Sequence, residues 1–532
     1  MAGYSRYSDH AEAIDDPEWK KYNELVKQDP DKFENWESLI RVTESLEGGL
    51  GRGSRHEVIF QARKVFDEFL AKFPLLFGYW KRYADFEFMV AGSDASEEIY
   101  QRAVTGIPNS VDLWSSYCGF KVETCPDEDE VRELFDTAAE FVGLDFLSHT
   151  FWDKYIEFEE RMEKENLVLK VLAKIIHIPM HQYARYFERY TALGASYPVQ
   201  DLVSETDLAK IEESLRAQFG SRKEGSDFER ELRSRVHQYH VDVFSETQKE
   251  TMSRWPFESE IKRSYFHVKP VEAKELNNWR SYLDFEESQG NYARIRFLYE
   301  KCLVATALYD EFWLRYVRWL YAQGPSHYEE LRNIYRRASS LFVPIGRPMV
   351  RIEYATFEES CGCIDSARDI YDSILLEMPD NLETIIARGN MERRIAGLDK
   401  VLEYYKEILD SSKNDIYVRG AIVAESARLL WTIKGSELDA RQMYLMNQEK
   451  CMDSKYFWIN FLRFEIDLPT SSEREPERYS RISQVIQQIR TKARLAPPVV
   501  KDLCHIYMVY LLERGGPTAV QEYKKLDQEV NG

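Results

Sequence analysis

Apolar and polar positions follow one another along this chain with a helical rhythm, and one aromatic pattern recurs at fixed steps. Trp80, Tyr83, Phe86 and Glu87 stand at steps 0, 3, 6 and 7. Trp114, Tyr117, Phe120 and Lys121 repeat those steps, as do Trp152, Tyr155, Phe158 and Glu159. A second series holds Trp279, Tyr282, Phe285 and Glu286, then Trp313, Tyr316, Trp319 and Leu320, and closes with Trp458, Phe461, Phe464 and Glu465. Fainter copies lack the Trp: Arg351, Tyr354, Phe357, Glu358, and Ile385, Arg388, Met391, Glu392. At about 3.6 residues per turn, steps of 3, 6 and 7 fall within one stripe, so each copy predicts a helix with an aromatic face.

A second helix precedes each copy. Phe66, Tyr100, Tyr299 and Tyr444 each stand fourteen residues before one of these Trp residues, and Tyr371 stands equally far before Ile385. Pro74, Pro108 and Pro379 fall eight residues after three of those aromatics, where a residue without an N–H stops one helix ahead of the next. The unit is helix, turn, helix, with starts 34 or 38 residues apart inside each series. One such pair cannot bury its apolar face alone, which predicts an all-α fold, an α-α superhelix of about eleven or twelve stacked units. The motif residues are expected to fill its core.

Between 192 and 256 the pattern disappears, although helix formers remain over Asp207 to Phe219 and Asp227 to Phe244. The expected organisation is therefore an N-terminal array over 18–191, a helical spacer over 192–256 with a mobile kink at Gly220–Gly225, and a C-terminal array over 257–532. Arg230, Arg233 and Arg235 in the spacer stand among Glu229 and Glu231, the pattern of a solvated mixed-charge helix rather than a basic patch.

Composition narrows the function classes. The 532 residues include 72 aromatics, an apolar load unlike that of a disordered acidic chain. Set against 71 basic residues, 91 acidic ones leave a net charge of −20, which argues against a whole-surface grip on nucleic acid and predicts at most weak, salt-sensitive RNA contact. Seven cysteines without framework spacing read as reduced thiols. No secretory signal or membrane span is expected, the richest apolar stretch, Leu167 to Met180, being broken by Lys170, Lys174 and His177.

No enzyme motif stands in the sequence context that its chemistry needs. Gly48, Gly49, Gly51 and Gly53 lack GxGxxG spacing, and no GxxxxGK[ST] occurs. His56-Glu57 opens like a zinc-protease motif, but Phe60 occupies the second histidine position. Cys361-Gly-Cys363 has no partner pair, and Pro179 breaks the face that His177 and His181 would share. No catalytic, metal or cofactor-binding residue is therefore assigned, no cofactor is expected, and the chain reads as a non-enzymatic surface for other proteins.

The Trp-x-x-Tyr-x-x-Phe-Glu helix, with its Ala-Arg-x-x-Tyr/Phe partner, resembles the half-a-TPR (HAT) repeat of RNA-processing scaffolds. The stretch from Trp255-Pro-Phe-Glu258 to Lys269-Pro270, leading into Asn278-Trp279, is similar to the central segment of the pre-mRNA-processing factor 39 family. The paralogous pre-mRNA-processing factor 42 shares the layout. The resemblance implies a nuclear, non-enzymatic scaffold of the U1 small nuclear ribonucleoprotein, with U1 and splicing proteins as partners, RNA contact indirect or weak, and a role in 5′ splice-site recognition. A 3′-end-processing HAT scaffold is the alternative. The resemblance also implies a homodimer, or a heterodimer with a paralogue, formed through the C-terminal array. The candidate interface is the stripe Leu503, Ile506, Tyr507, Tyr510 and Leu511. The last helix, Pro517 to Glu529, would either dock on the partner or close the chain's own end.

Overall fold

The computed structural model describes residues 14–219, 225–411 and 415–532. The polar run at 220–224, where the kink was expected, lies outside the described residues, as does the start of the chain. Among the described residues there are 26 α-helices and no strand, so the fold is all-α, built of the helix–turn–helix units that the aromatic spacing predicts.

Local chemistry sets the helix ends. The side chains of Ser110, Asn291, Asn381, Ser436 and Ser454 each accept a backbone N–H of the first turn, which satisfies one of the donors a helix start leaves unpaired. Gly290, at φ +73°, ends helix Ala273–Gln289 in the left-handed region that an L side chain avoids. Gly389 serves packing instead, since a Cβ there would lie 2.4 Å from the Tyr405 hydroxyl.

The chain divides into two compact units, residues 1–316 and 317–532. In the first, helices Glu205–Phe219 and Ser226–Glu258 occupy the stretch where the repeat fades. The second of these runs past the expected end at Phe244 and continues through Pro256. A proline so near the helix end removes only one backbone hydrogen bond, and the flanking residues are anchored. Arg254 pairs with Glu286, and the Phe257 ring stacks on Tyr282 at 5.0 Å. The end of the long helix is thus the packing partner of helix Ala273–Gln289, and a boundary at 256/257 falls inside a continuous helix.

The same unit holds a buried charge cluster. Lys301 Nζ lies 2.9 Å from Glu258 Oε2 and 3.3 Å from Asp145 Oδ2, all three side chains less than a tenth exposed. Burial pulls the Lys301 pKa down, but the two carboxylates outweigh it and hold the ammonium protonated. Because Asp145 follows helix Glu128–Val142 and Lys301 sits on helix Tyr292–Ala305, the cluster ties repeats from the two sequence series together. Thr247 adds a bond to the Ile176 carbonyl at 2.9 Å, and His267 brings its ring within 6.0 Å of Phe33.

In the second unit, helices Glu437–Asn447, Lys455–Asp467, Glu475–Thr491 and Pro497–Arg514 enclose a core that includes Tyr444, Trp458, Ile486 and Tyr507. Helix Ala519–Asn531 closes that core with Ala519 and Leu526.

Candidate functional site

Three contacts recur among the motif residues of the repeats. The Trp indole N–H donates to a carbonyl of the preceding turn. Trp80 reaches Pro74, Trp114 reaches Pro108 and Trp313 reaches Ala307, all at 2.8 Å, while Trp458 reaches Met452 at 3.2 Å and Trp152 reaches Gly143 at 3.3 Å. The apolar body fills the core while the polar edge satisfies a carbonyl that the helix break leaves open. Trp279, fully buried, has no acceptor for its indole N–H among the described residues.

The aromatic at step 3 stacks on the aromatic of the partner helix. Tyr83 lies on Phe66 at 4.8 Å and 7°, Tyr117 on Tyr100 at 5.3 Å and 4°, and Tyr155 on Phe135 at 4.6 Å and 8°. The geometry returns at Tyr316 on Tyr299, 4.7 Å and 11°, and at Phe461 on Tyr444, 4.6 Å and 10°. Burial raises the pKa of both Tyr100 and Tyr117 to about 12, so these rings stay neutral hydroxyls.

The residue at step 7 closes an ion pair with the partner helix. Arg63 holds Glu87 with two hydrogen bonds at 2.7 and 2.8 Å, and Arg132 holds Glu159 at 2.6 and 3.0 Å. Arg254 and Glu286, Arg332 and Glu358, Arg368 and Glu392, and Arg441 and Glu465 make the same two-pronged contact. Four of these guanidinium groups, those of Arg132, Arg254, Arg332 and Arg441, also lie 5.6–5.8 Å from the ring at step 6, Phe158, Phe285, Phe357 and Phe464. Lys121 has exchanged signs with its partner and contacts Glu97. The arginine was visible in the sequence, but its partner was not assigned. The signal is a charge of opposite sign 24 residues before step 7, seen at Arg63, Glu97, Arg368 and Arg441.

These interactions place the motif residues inside the repeats. Phe86 is buried, Phe120, Phe285 and Trp319 are half-buried, and none of the tryptophans at step 0 is exposed. Among the described residues no group of three or more His, Cys, Asp and Glu side chains is arranged to hold a metal ion, and no helix is long and apolar enough to cross a membrane. Cys361 and Cys363 are free thiols, the latter exposed.

Two family models match, the PRP39 N-terminal HAT repeat over residues 20–192 and the PRP39 C-terminal HAT repeat over residues 252–394. Pre-mRNA-processing factor 39 of Schizosaccharomyces pombe is 48% identical over 533 aligned residues, covering 97% of this chain and 87% of the relative. The chain belongs to the pre-mRNA-processing factor 39 family. The Homo sapiens member is 29% identical, with 84% of this chain and 69% of the relative covered. The U1 small nuclear ribonucleoprotein component PRP42 of Saccharomyces cerevisiae is more distant, at 24% identity over 56% of this chain and 55% of its own. Among solved structures, CSTF-77 shares the fold with a TM-score of 0.55 and 13% identity, covering 86% of this chain and 88% of that one. Membership makes the chain one of a family of pre-mRNA-processing factors.

In this family member, the stripe expected at a dimer interface lies largely inside the chain itself. Leu503, Tyr507, Tyr510 and Leu511 are buried in the chain's own core and Ile506 is half-buried. Helix Ala519–Asn531 covers the stripe. Its Glu522 accepts hydrogen bonds from Tyr507, at 2.7 Å, and from Tyr479, and its Glu529 takes Arg490 at 2.6 Å. Helix Pro497–Arg514 is apolar on more than one side, so periodicity alone could not say which side meets the chain's own end. Its exposed apolar residues are Val509 and Leu512, with Val520 on the following helix. A second exposed apolar stripe, Leu438, Leu445 and Met446, lies along helix Glu437–Asn447.

Proposed function

We propose that the chain is a non-enzymatic scaffold of the U1 small nuclear ribonucleoprotein in pre-mRNA splicing, acting in the nucleus. In this reading it binds other U1 and splicing proteins and supports recognition of 5′ splice sites. Family membership supports the process. The observation that carries the mechanism is the ladder of internal pairs: tryptophans, stacked rings and arginine–glutamate rungs that would elsewhere suggest chemistry are spent on holding helices together. What such a protein offers to others is outward-facing surface.

The net charge of −20 supports contact with the particle through its proteins rather than by a direct grip on RNA. In the same reading the chain dimerises through its C-terminal array, and the exposure of Val509, Leu512 and Val520 supports them as the apolar contact in place of the buried stripe. Affinity purification of the tagged chain from nuclear extract tests the reading. U1 RNA and U1 proteins should co-purify, and their absence alongside recovered 3′-end-processing factors would favour the alternative HAT scaffold.

A further inference from the structure

In this acidic chain one cleft has the opposite character. A cavity of about 430 Å³ opens between helix Tyr183–Gly194 and helix Ser226–Glu258, and among the described residues no carboxylate lines it. Arg230, Arg233, His237 and His240 follow one another at steps of 3, 4 and 3 on the long helix, which places all four along one face. Tyr190, Leu202 and Val236 give the cleft an apolar floor.

The four side chains have different duties. His240 is buried, its Nε2 3.2 Å from both the Tyr190 hydroxyl and the Leu202 carbonyl, and burial lowers its pKa so that it stays neutral and braces the floor. Arg233 is aimed by backbone, donating to the Tyr197 carbonyl at 2.8 Å and the Ala195 carbonyl at 3.5 Å, with no carboxylate partner among the described residues. A guanidinium has five donors, so several remain for a ligand. Arg230 is largely exposed, and the carboxylate of Asp227 lies 3.7 Å away, the outer edge of an ion pair. His237 is exposed at the rim, and Ser234 adds a hydroxyl. Arg235 points away, donating to Gln218 at 2.6 Å.

We propose that this cleft binds a single phosphorylated serine or threonine side chain on an extended segment of a partner protein. Two forked cations lining one apolar-floored cleft suit the three acceptor oxygens of a phosphoryl group. The cleft's size fits one side chain, and Asp227, Glu229 and Glu231 on the same helix would repel the continuous backbone of an RNA strand.

The test is fluorescence anisotropy on the full chain, with short peptides of randomised sequence around a central phosphoserine, the same peptides unphosphorylated, and a single-stranded oligouridylate. The phosphopeptides should bind in preference to both. Arg230→Ala and Arg233→Lys should each weaken that binding roughly tenfold, the scale of one charge-assisted hydrogen-bond set. Arg235→Ala should leave it unchanged. Arg230 and His237 are exposed, so their alanine variants report on binding without disturbing the core. The proposal is overturned if phosphorylation gives no preference, if Arg230→Ala and His237→Ala bind like the parent, or if oligouridylate binds more tightly through the same arginines.

Discussion

Lys121 and Glu97 make the contact that arginine and glutamate make in six other repeats, with the signs exchanged. Lys121 Nζ lies 2.6 Å from Glu97 Oε1 and 3.0 Å from Glu130 Oε1, and its side chain is 8% exposed. Burial lowers the lysine pKa, but hydrogen bonds to the two glutamates reverse that and raise it overall. Because sign does not matter to the rung as long as the pair is complementary, exchange should be tolerated and mismatch should not. Lys121→Glu or Glu97→Arg alone should each cost about 2–3 kcal/mol, less than a fully enclosed pair because Glu97 is partly exposed. The double exchange should recover more than half of the summed loss, the remainder reflecting Glu130. A double-mutant cycle in urea measures the coupling, and additive losses would show that the rung contributes nothing as a pair.

The tryptophans separate packing from hydrogen bonding. Trp114→Ala should cost about 3–5 kcal/mol as a core cavity. Trp114→Phe keeps most of the volume but leaves the Pro108 carbonyl without its donor, whereas Trp279→Phe removes an N–H that has no acceptor among the described residues. The first Phe variant should therefore be less stable than the second by about 1 kcal/mol. Equal losses in chemical denaturation would assign the tryptophans to packing alone.

Acid should release one rung in a readable way. Hydrogen bonds from Arg368, at 2.8 and 3.0 Å, hold the Glu392 carboxyl below its ordinary 4.5, although burial pushes the other way. A depressed folded-state pKa means the contribution is complete above the unfolded value and is lost as pH falls through the folded one. Glu392→Gln should melt below the parent at neutral pH, and the gap should narrow under about pH 4. A gap that persists unchanged in acid would show that the carboxylate charge is not its source.

How much of this was legible in the sequence depended on whether neighbours were near or far. The step pattern from Trp80 to Glu87 lies on one helix, so its periodicity announced both the helix and the buried face. The stack of Tyr83 on Phe66 was half legible, because the partner aromatic was seen but its contact was not. Arg254 escaped altogether, lying 32 residues before Glu286 on a helix that runs through Pro256, where a proline reads as a stop. Leu503 and Tyr507 misled for a different reason, since an apolar stripe has the same period whether it meets a second subunit or its own terminal helix. The basic face of Arg230 and Arg233 was hidden by Glu229 and Glu231, which alternate with it in sequence yet line no part of the cleft.

The dimer placement separates by mutation. Leu512→Asp alters an exposed position and should shift the mass in light scattering toward the monomer while leaving the melting temperature within a few degrees of the parent, the change expected of about 0.5 kcal/mol at the surface. Deleting residues 515–532 is a poorer test, because it strips Leu526 from the chain's own core and removes the Glu522 acceptor of Tyr507. An unchanged dimer in Leu512→Asp, Val520→Asp and their combination would move the interface elsewhere, with Leu438, Leu445 and Met446 the next surface to alter.

In the proposed role, this helical ladder reaches an RNA particle through proteins. Sedimentation of the purified chain with intact U1 particles, and in parallel with protein-free U1 RNA, at near-physiological salt measures it directly. Co-sedimentation is expected with the particle and not with the free RNA. Tight binding to the free RNA, or failure to move with the particle, would contradict it.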